Sequence, residues 1–133
     1  MSMTSEATGQ DAGAPAGGIS IHAVDVSRGI PAHGLGVRLW RIDGQDRTQI
    51  AAGPCGKDGL LDHQGAKGAG ISAGVYEVEF DVGGFFRQAG VAIPDPPFVD
   101  LAVFRFGIAR VEEHFHLPFK FTPWGFSMFR GGA

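Results

Sequence analysis

Polar and apolar residues alternate along several stretches of this chain, and a period of two predicts strands. Over residues 114–122, Phe115, Leu117, Phe119 and Phe121 fall on one side, while His114, His116, Pro118, Lys120 and Thr122 fall on the other. Burying each large apolar side chain is worth about 1.5–3 kcal/mol, so the Phe and Leu side packs inward and the chemistry lies on the opposite face. Pro118 has no N–H to donate, which places its nitrogen where the ladder is open or interrupted. Pro123-Trp124-Gly125 then turns the chain, and Phe126 to Arg130 returns as one more short strand.

Near the start, Ile19, Ile21 and Ala23 share a face opposite Ser20, His22 and Val24, predicting a strand from Ile19 to Val26. Gly36 to Ile42 supplies the next, ended by Asp43-Gly44, with Arg47 to Ala52 as its partner across that turn. Gly53 to Gly70 is rich in glycine and charge, and only Leu60-Leu61 is strand-like there. Gly74 to Phe80 turns Tyr76, Val78 and Phe80 inward and both glutamates outward. Asp81 is placed to cap a short helix from Val82 to Ala89, weakened by about 1 kcal/mol at each of Gly83 and Gly84. After the extended Pro94-Asp95-Pro96-Pro97, Val99 to Ile108 sets Ala102, Phe104, Phe106 and Ile108 on one face.

Seven or eight short strands with at most one helix predict an all-β, two-sheet sandwich. With 133 residues, 44% of them apolar, the chain has material for one core and not two. Residues 1–18 are too poor in large apolar groups to offset the entropy of ordering and are expected to form a disordered extension, leaving 19–133 as the folded domain. A net charge of −3 argues against a nucleic-acid partner or an anionic membrane surface. No spanning apolar run and no signal-like leader are seen, so the expected location is the cytoplasm. The single cysteine, Cys55, has no disulfide partner and reads as an ordinary thiol.

Ile21-His22-Ala23-Val24-Asp25, Gly29-Ile30-Pro31-Ala32, Val37-Arg38-Leu39, Gly74-Val75-Tyr76, Phe80-Asp81-Val82-Gly83 and the tail from His116-Leu117-Pro118 through Pro123-Trp124-Gly125-Phe126-Ser127 to Phe129-Arg130-Gly131 resemble, in this order, the transthyretin-like 5-hydroxyisourate hydrolases. The resemblance covers residues 19–132. It implies an eight-stranded transthyretin-like sandwich with one short helix, assembled as a homotetramer with active sites in the channel where two dimers meet. It also implies a hydrolase of a small heterocyclic substrate that uses neither metal nor organic cofactor. By position, His22 and His116 are the implied active-site imidazoles, one the general base for water and the other its hydrogen-bonding partner or the substrate's. The alternation independently sets both histidines off the core face.

The chain departs from the family pattern at the site. Leu60 follows Asp58-Gly59 where the family has the arginine that holds substrate. Phe129 stands where it has tyrosine, and Gly132 where it has the terminal serine. Lys120 sits where an apolar residue is usual, on the His116 face about 13 Å along the strand at roughly 3.3 Å per residue. It either restores a cation to the site, acts there as a base or nucleophile, or snorkels to solvent or a neighbouring subunit's carboxylate. With Thr122 at the end of the same face, Lys120, Leu60, Phe129 and Gly132 are the candidate substrate-contacting residues. Three functions remain open: a divergent hydrolase of a small cyclic amide, imide or related carbonyl heterocycle; a 5-hydroxyisourate hydrolase in which Lys120 fills the arginine's role; and a non-catalytic ligand carrier.

Overall fold

The computed structural model describes residues 16–132. Its strands are β1 (Ile19–Asp25), β2 (Ile30–Pro31), β3 (Gly36–Asp43), β4 (Asp46–Pro54), β5 (Gly74–Asp81), β6 (Leu101–Ile108), β7 (Phe115–Thr122) and β8 (Gly125–Met128). One helix, α1 (Val82–Gln88), follows β5, and two single 3-10 turns, Gln64–Ala66 and Gly68–Gly70, precede it. The strands form two four-stranded sheets, ordered β2-β1-β7-β8 and β4-β3-β5-β6. The expected all-β sandwich with one short helix is therefore the fold observed.

Local chemistry explains the strand ends. β3 and β4 are joined through a two-residue loop, Asp43 pairing with Asp46, and Gly44 takes the left-handed φ of 63° that this tight connection needs. The Asp81 carboxylate accepts from the Gly84 N–H at 3.0 Å, capping α1 as expected. The two inner faces meet in a core whose centre is Phe80 of β5 stacked on Phe119 of β7, centroids 3.8 Å apart and planes 3° from parallel. Phe121 adds edge contacts to Phe85 and Phe86 of α1.

The expected N-terminal extension, residues 1–18, lies outside the described residues up to position 15, as does Ala133 at the other end. Residues 16–18 belong with the domain: the Gly17 N–H donates to the Val111 carbonyl at 2.8 Å, and Gly18 accepts from the Phe115 N–H at 2.9 Å. The second of these bonds extends the pairing of β1 and β7 backward by one step. Asp25 at the end of β1 is fully buried, yet its carboxylate is satisfied by the Ser27 hydroxyl at 2.5 Å and Arg28 Nε at 2.6 Å. Being three residues from His22, it lies on the opposite face of the strand and does not orient that ring.

Candidate active site

β1 and β7 run parallel as neighbours, a pairing that brings residues almost a hundred positions apart into one register. Ser20 lies across from His116, His22 across from Pro118, and Val24 across from Lys120. Buried and less-buried residues alternate along both strands, so the whole row Ser20, His22, Val24, His116, Pro118 and Lys120 occupies the outer face of the sheet. On the far side of β1, His22 forms an antiparallel bridge with Leu60. Gly59 makes this approach possible: its φ is 78°, and a Cβ there would lie 2.3 Å from the Ala23 carbonyl oxygen. Of the expected site residues, Leu60, His22, His116 and Lys120 thus share one surface.

His22 and His116 are diagonal neighbours, about 8 Å apart by strand spacing and rise. They feel one another: the His116 pKa is held below the ordinary histidine value by burial first, then by the charges of His22 and His114. At neutral pH His116 is therefore an uncharged imidazole, the form that accepts a proton. Its Nδ1 meets Ser20 Oγ at 2.7 Å, and the same oxygen meets His114 Nε2 at 2.8 Å. His114 is in turn anchored through Nδ1 to the Gly17 carbonyl at 2.7 Å. Among the described residues His116 Nε2 makes no hydrogen bond.

The C-terminal tail covers the other side of His116. Gly131 donates its N–H to the His116 carbonyl at 2.7 Å, on the side of β7 where the ladder to β8 has ended at Phe119 and Met128. Pro118 presents its nitrogen to this same interrupted side, which accounts for a proline in a central strand. A Cβ on Gly131 would approach His116 Cδ2 to 2.9 Å and Pro118 Cδ to 3.2 Å. Gly131→Ala is accordingly expected to lift the tail, costing about 1 kcal/mol through the lost hydrogen bond and the overlap. A fall in Tm together with a changed His116 NMR signal would be the measurement.

Arg130 fastens the tail from outside: its guanidinium pairs with Glu113 at 3.2 Å, bonds the His114 carbonyl at 3.1 Å and stacks 4.0 Å from the Phe115 ring centroid. Phe129, 49% exposed, and Gly132, also exposed, stand on either side of Arg130 and Gly131 in this tail. Lys120 is exposed and makes no ion pair among the described residues. Thr122 stands at the far end of β7, where its hydroxyl accepts from the Trp124 N–H at 3.0 Å and holds the turn into β8. His33 is exposed in a turn, and His63 caps a 3-10 turn by accepting from the Gly65 N–H at 2.9 Å. Burial pushes the Cys55 thiol up to about 11, so it stays protonated and unreactive at neutral pH.

Ser20 and His114 are the residues that pattern reading passed over as parts of the site. Alternation does put Ser20 on the His22 face and His114 on the His116 face. Their meeting depends on the parallel register of β1 and β7, which neither stretch encodes by itself. Among the described residues no three His, Cys, Asp or Glu side chains converge in a geometry that would hold a metal ion. The surface offers a neutral imidazole with a free nitrogen, a second imidazole nearby, a cation further along, and apolar flanks from Leu60 and Pro118. An uncharged imidazole with an open nitrogen can take a proton from water.

The model of the HIUase/Transthyretin family matches residues 19–131. The 5-hydroxyisourate hydrolase 2 of Rhizobium meliloti (strain 1021) is 42% identical over 115 residues, spanning 86% of this chain and 96% of that protein. The structure of the Klebsiella pneumoniae 5-hydroxyisourate hydrolase superposes with a TM-score of 0.72 at 31% identity, over 86% of this chain and 98% of that one. Sea bream transthyretin, solved in complex with thyroxine, reaches a TM-score of 0.75 at 22% identity, over 86% of this chain and 95% of that one, a likeness of fold alone.

Proposed function

Because this chain belongs to the HIUase/transthyretin family, with relatives named as hydrolases, we propose that it hydrolyses a small cyclic amide, imide or related carbonyl heterocycle without a cofactor, at the outer face shared by His22 and His116. The observation carrying this reading is His116 itself: uncharged, tethered through Nδ1 and open at Nε2. Water held at Nε2 gives its proton to that nitrogen as its oxygen attacks the ring carbonyl carbon. The ring C–N bond then breaks, and the departing nitrogen takes the proton back from His116. His22 donates a hydrogen bond to the carbonyl oxygen as negative charge develops there. The working form is a homotetramer: Phe126 and Phe129 near the C-terminus stay about half exposed in a single sandwich, and the outer face that carries the exposed cation Lys120 turns toward a second dimer across a channel.

Ring choice is displaced from 5-hydroxyisourate by Leu60, which puts an apolar side chain beside His22 where the family carries arginine. A charge-assisted hydrogen bond is worth about 1.5–3 kcal/mol, so its loss costs roughly ten- to a hundred-fold in transition-state stabilisation. Lys120 supplies the replacement cation from the β7 side. Stopped-flow mixing with freshly generated 5-hydroxyisourate is expected to show poor turnover. Lys120→Leu is expected to lower hydrolysis of the chain's own substrate by about the same factor while leaving Tm unchanged, since the residue is exposed.

A second reading, hydrolysis of 5-hydroxyisourate itself, is favoured by the names of the relatives. Fast turnover of 5-hydroxyisourate by the wild-type chain would establish it and end the divergent reading, and its fall in Lys120→Leu would give Lys120 the arginine's role.

A further inference from the structure

We infer that Ser20 and His114 are positioning residues that lock neutral His116 in the tautomer with its proton on Nδ1, leaving Nε2 bare. The use of the bare nitrogen rests on the hydrolytic reading above, whereas the lock itself rests only on the hydrogen-bond chain. A carbonyl oxygen can only accept, so the Gly17 oxygen, 2.7 Å from His114 Nδ1, requires the His114 proton to be there. Neutral His114 then presents Nε2 as an acceptor, 2.8 Å from Ser20 Oγ. A hydroxyl has one proton, which this bond uses. The remaining contact, 2.7 Å from Ser20 Oγ to His116 Nδ1, must therefore be a donation from His116 to the serine oxygen. Each step follows from the one before, and the sequence ends with an unprotonated Nε2 on the outer face.

Neither end of the chain is free to swing. Gly17 is fixed by its own N–H to the Val111 carbonyl, at 2.8 Å, and the His116 backbone is held by Gly131. His114 carries Arg130 on its carbonyl. The two strands that bring Ser20 and His116 together are paired over seven successive positions, from Ile19 with Phe115 to Asp25 with Phe121. The relay thus spans a rigid register and orders the imidazole before any ligand arrives.

The test is the ring-nitrogen NMR spectrum of the 15N-histidine-labelled full chain at mildly alkaline pH, with His116 assigned by its loss in His116→Gln. Wild type is expected to show His116 with a protonated Nδ1 and an unprotonated Nε2. Ser20→Ala should give a mixture of tautomers and about a tenfold lower kcat with KM little changed, and Ser20→Thr, which retains the hydroxyl, should restore both. Wild-type His116 with its neutral proton on Nε2, or Ser20→Ala and Ser20→Thr behaving alike, would overturn the lock. The spectrum involves no substrate. A locked His116 in a protein that opens no ring would therefore leave this inference standing and remove the hydrolytic one.

Discussion

His116→Ala is expected to lower ring-opening kcat by roughly a hundred- to ten-thousand-fold, the usual contribution of a positioned general base. The fold should survive, because the side chain lies on the outer face and its loss empties no part of the core. Unchanged Tm with lost turnover would distinguish a chemical role from a structural one. The pH profile carries the same assignment. Burial and the charges of His22 and His114 depress the His116 pKa, so the reactive neutral imidazole persists as the pH falls through the ordinary histidine range. The acid limb of kcat/KM should therefore lie below the unperturbed histidine value of about 6.5. An acid limb at or above that value, or His116→Ala with undiminished turnover, would remove His116 as the base.

Phe119→Ala is expected to be the most damaging core substitution, at about 3–5 kcal/mol, a large share of the stability of a small domain. The ring is fully buried and stacks on Phe80 of the opposite sheet at 3.8 Å, with Phe121 at 5.0 Å and Phe126 at 5.7 Å. Removing it opens a void between the two sheets directly behind Pro118 and Lys120, so activity should fall along with stability. A urea midpoint that drops with an unchanged m-value would identify the loss as packing. A shift under 1 kcal/mol would show that the sheets close around the void, and that the Phe80–Phe119 stack is not what holds them together.

The fold was largely readable along the chain because its code is local. β5 appears at Gly74–Asp81, within one residue of the stretch read from Tyr76, Val78 and Phe80. The Asp81 cap is legible for the same reason: the carboxylate bonds an N–H three residues away. Boundaries slipped where local signals are weak. β6 begins at Leu101 and not Val99, β4 extends on to Pro54, and the Leu60-Leu61 stretch is a single bridge and not a strand. The two-residue β2 went unread because nothing so short has a period. Its pairing with Val24 and Asp25 is settled by the turn that follows β1.

By itself the sequence determined which face each residue occupies, since neighbouring side chains on a strand must point to opposite sides and the phenylalanines must be buried. His22, His116 and Lys120 were in this way assigned to an outer surface before any partner strand was known. Only the tertiary structure decided which strand lies beside which. The parallel register of β1 and β7 sets Ser20 against His116, and Gly59 lets Leu60 reach His22 from the opposite edge. It also made His114, which alternation places only on the polar side of 114–122, an anchored member of a hydrogen-bond chain. Such neighbours are chosen by long-range pairing and by the shape of the shared core, and alternation within one strand contains no information about either.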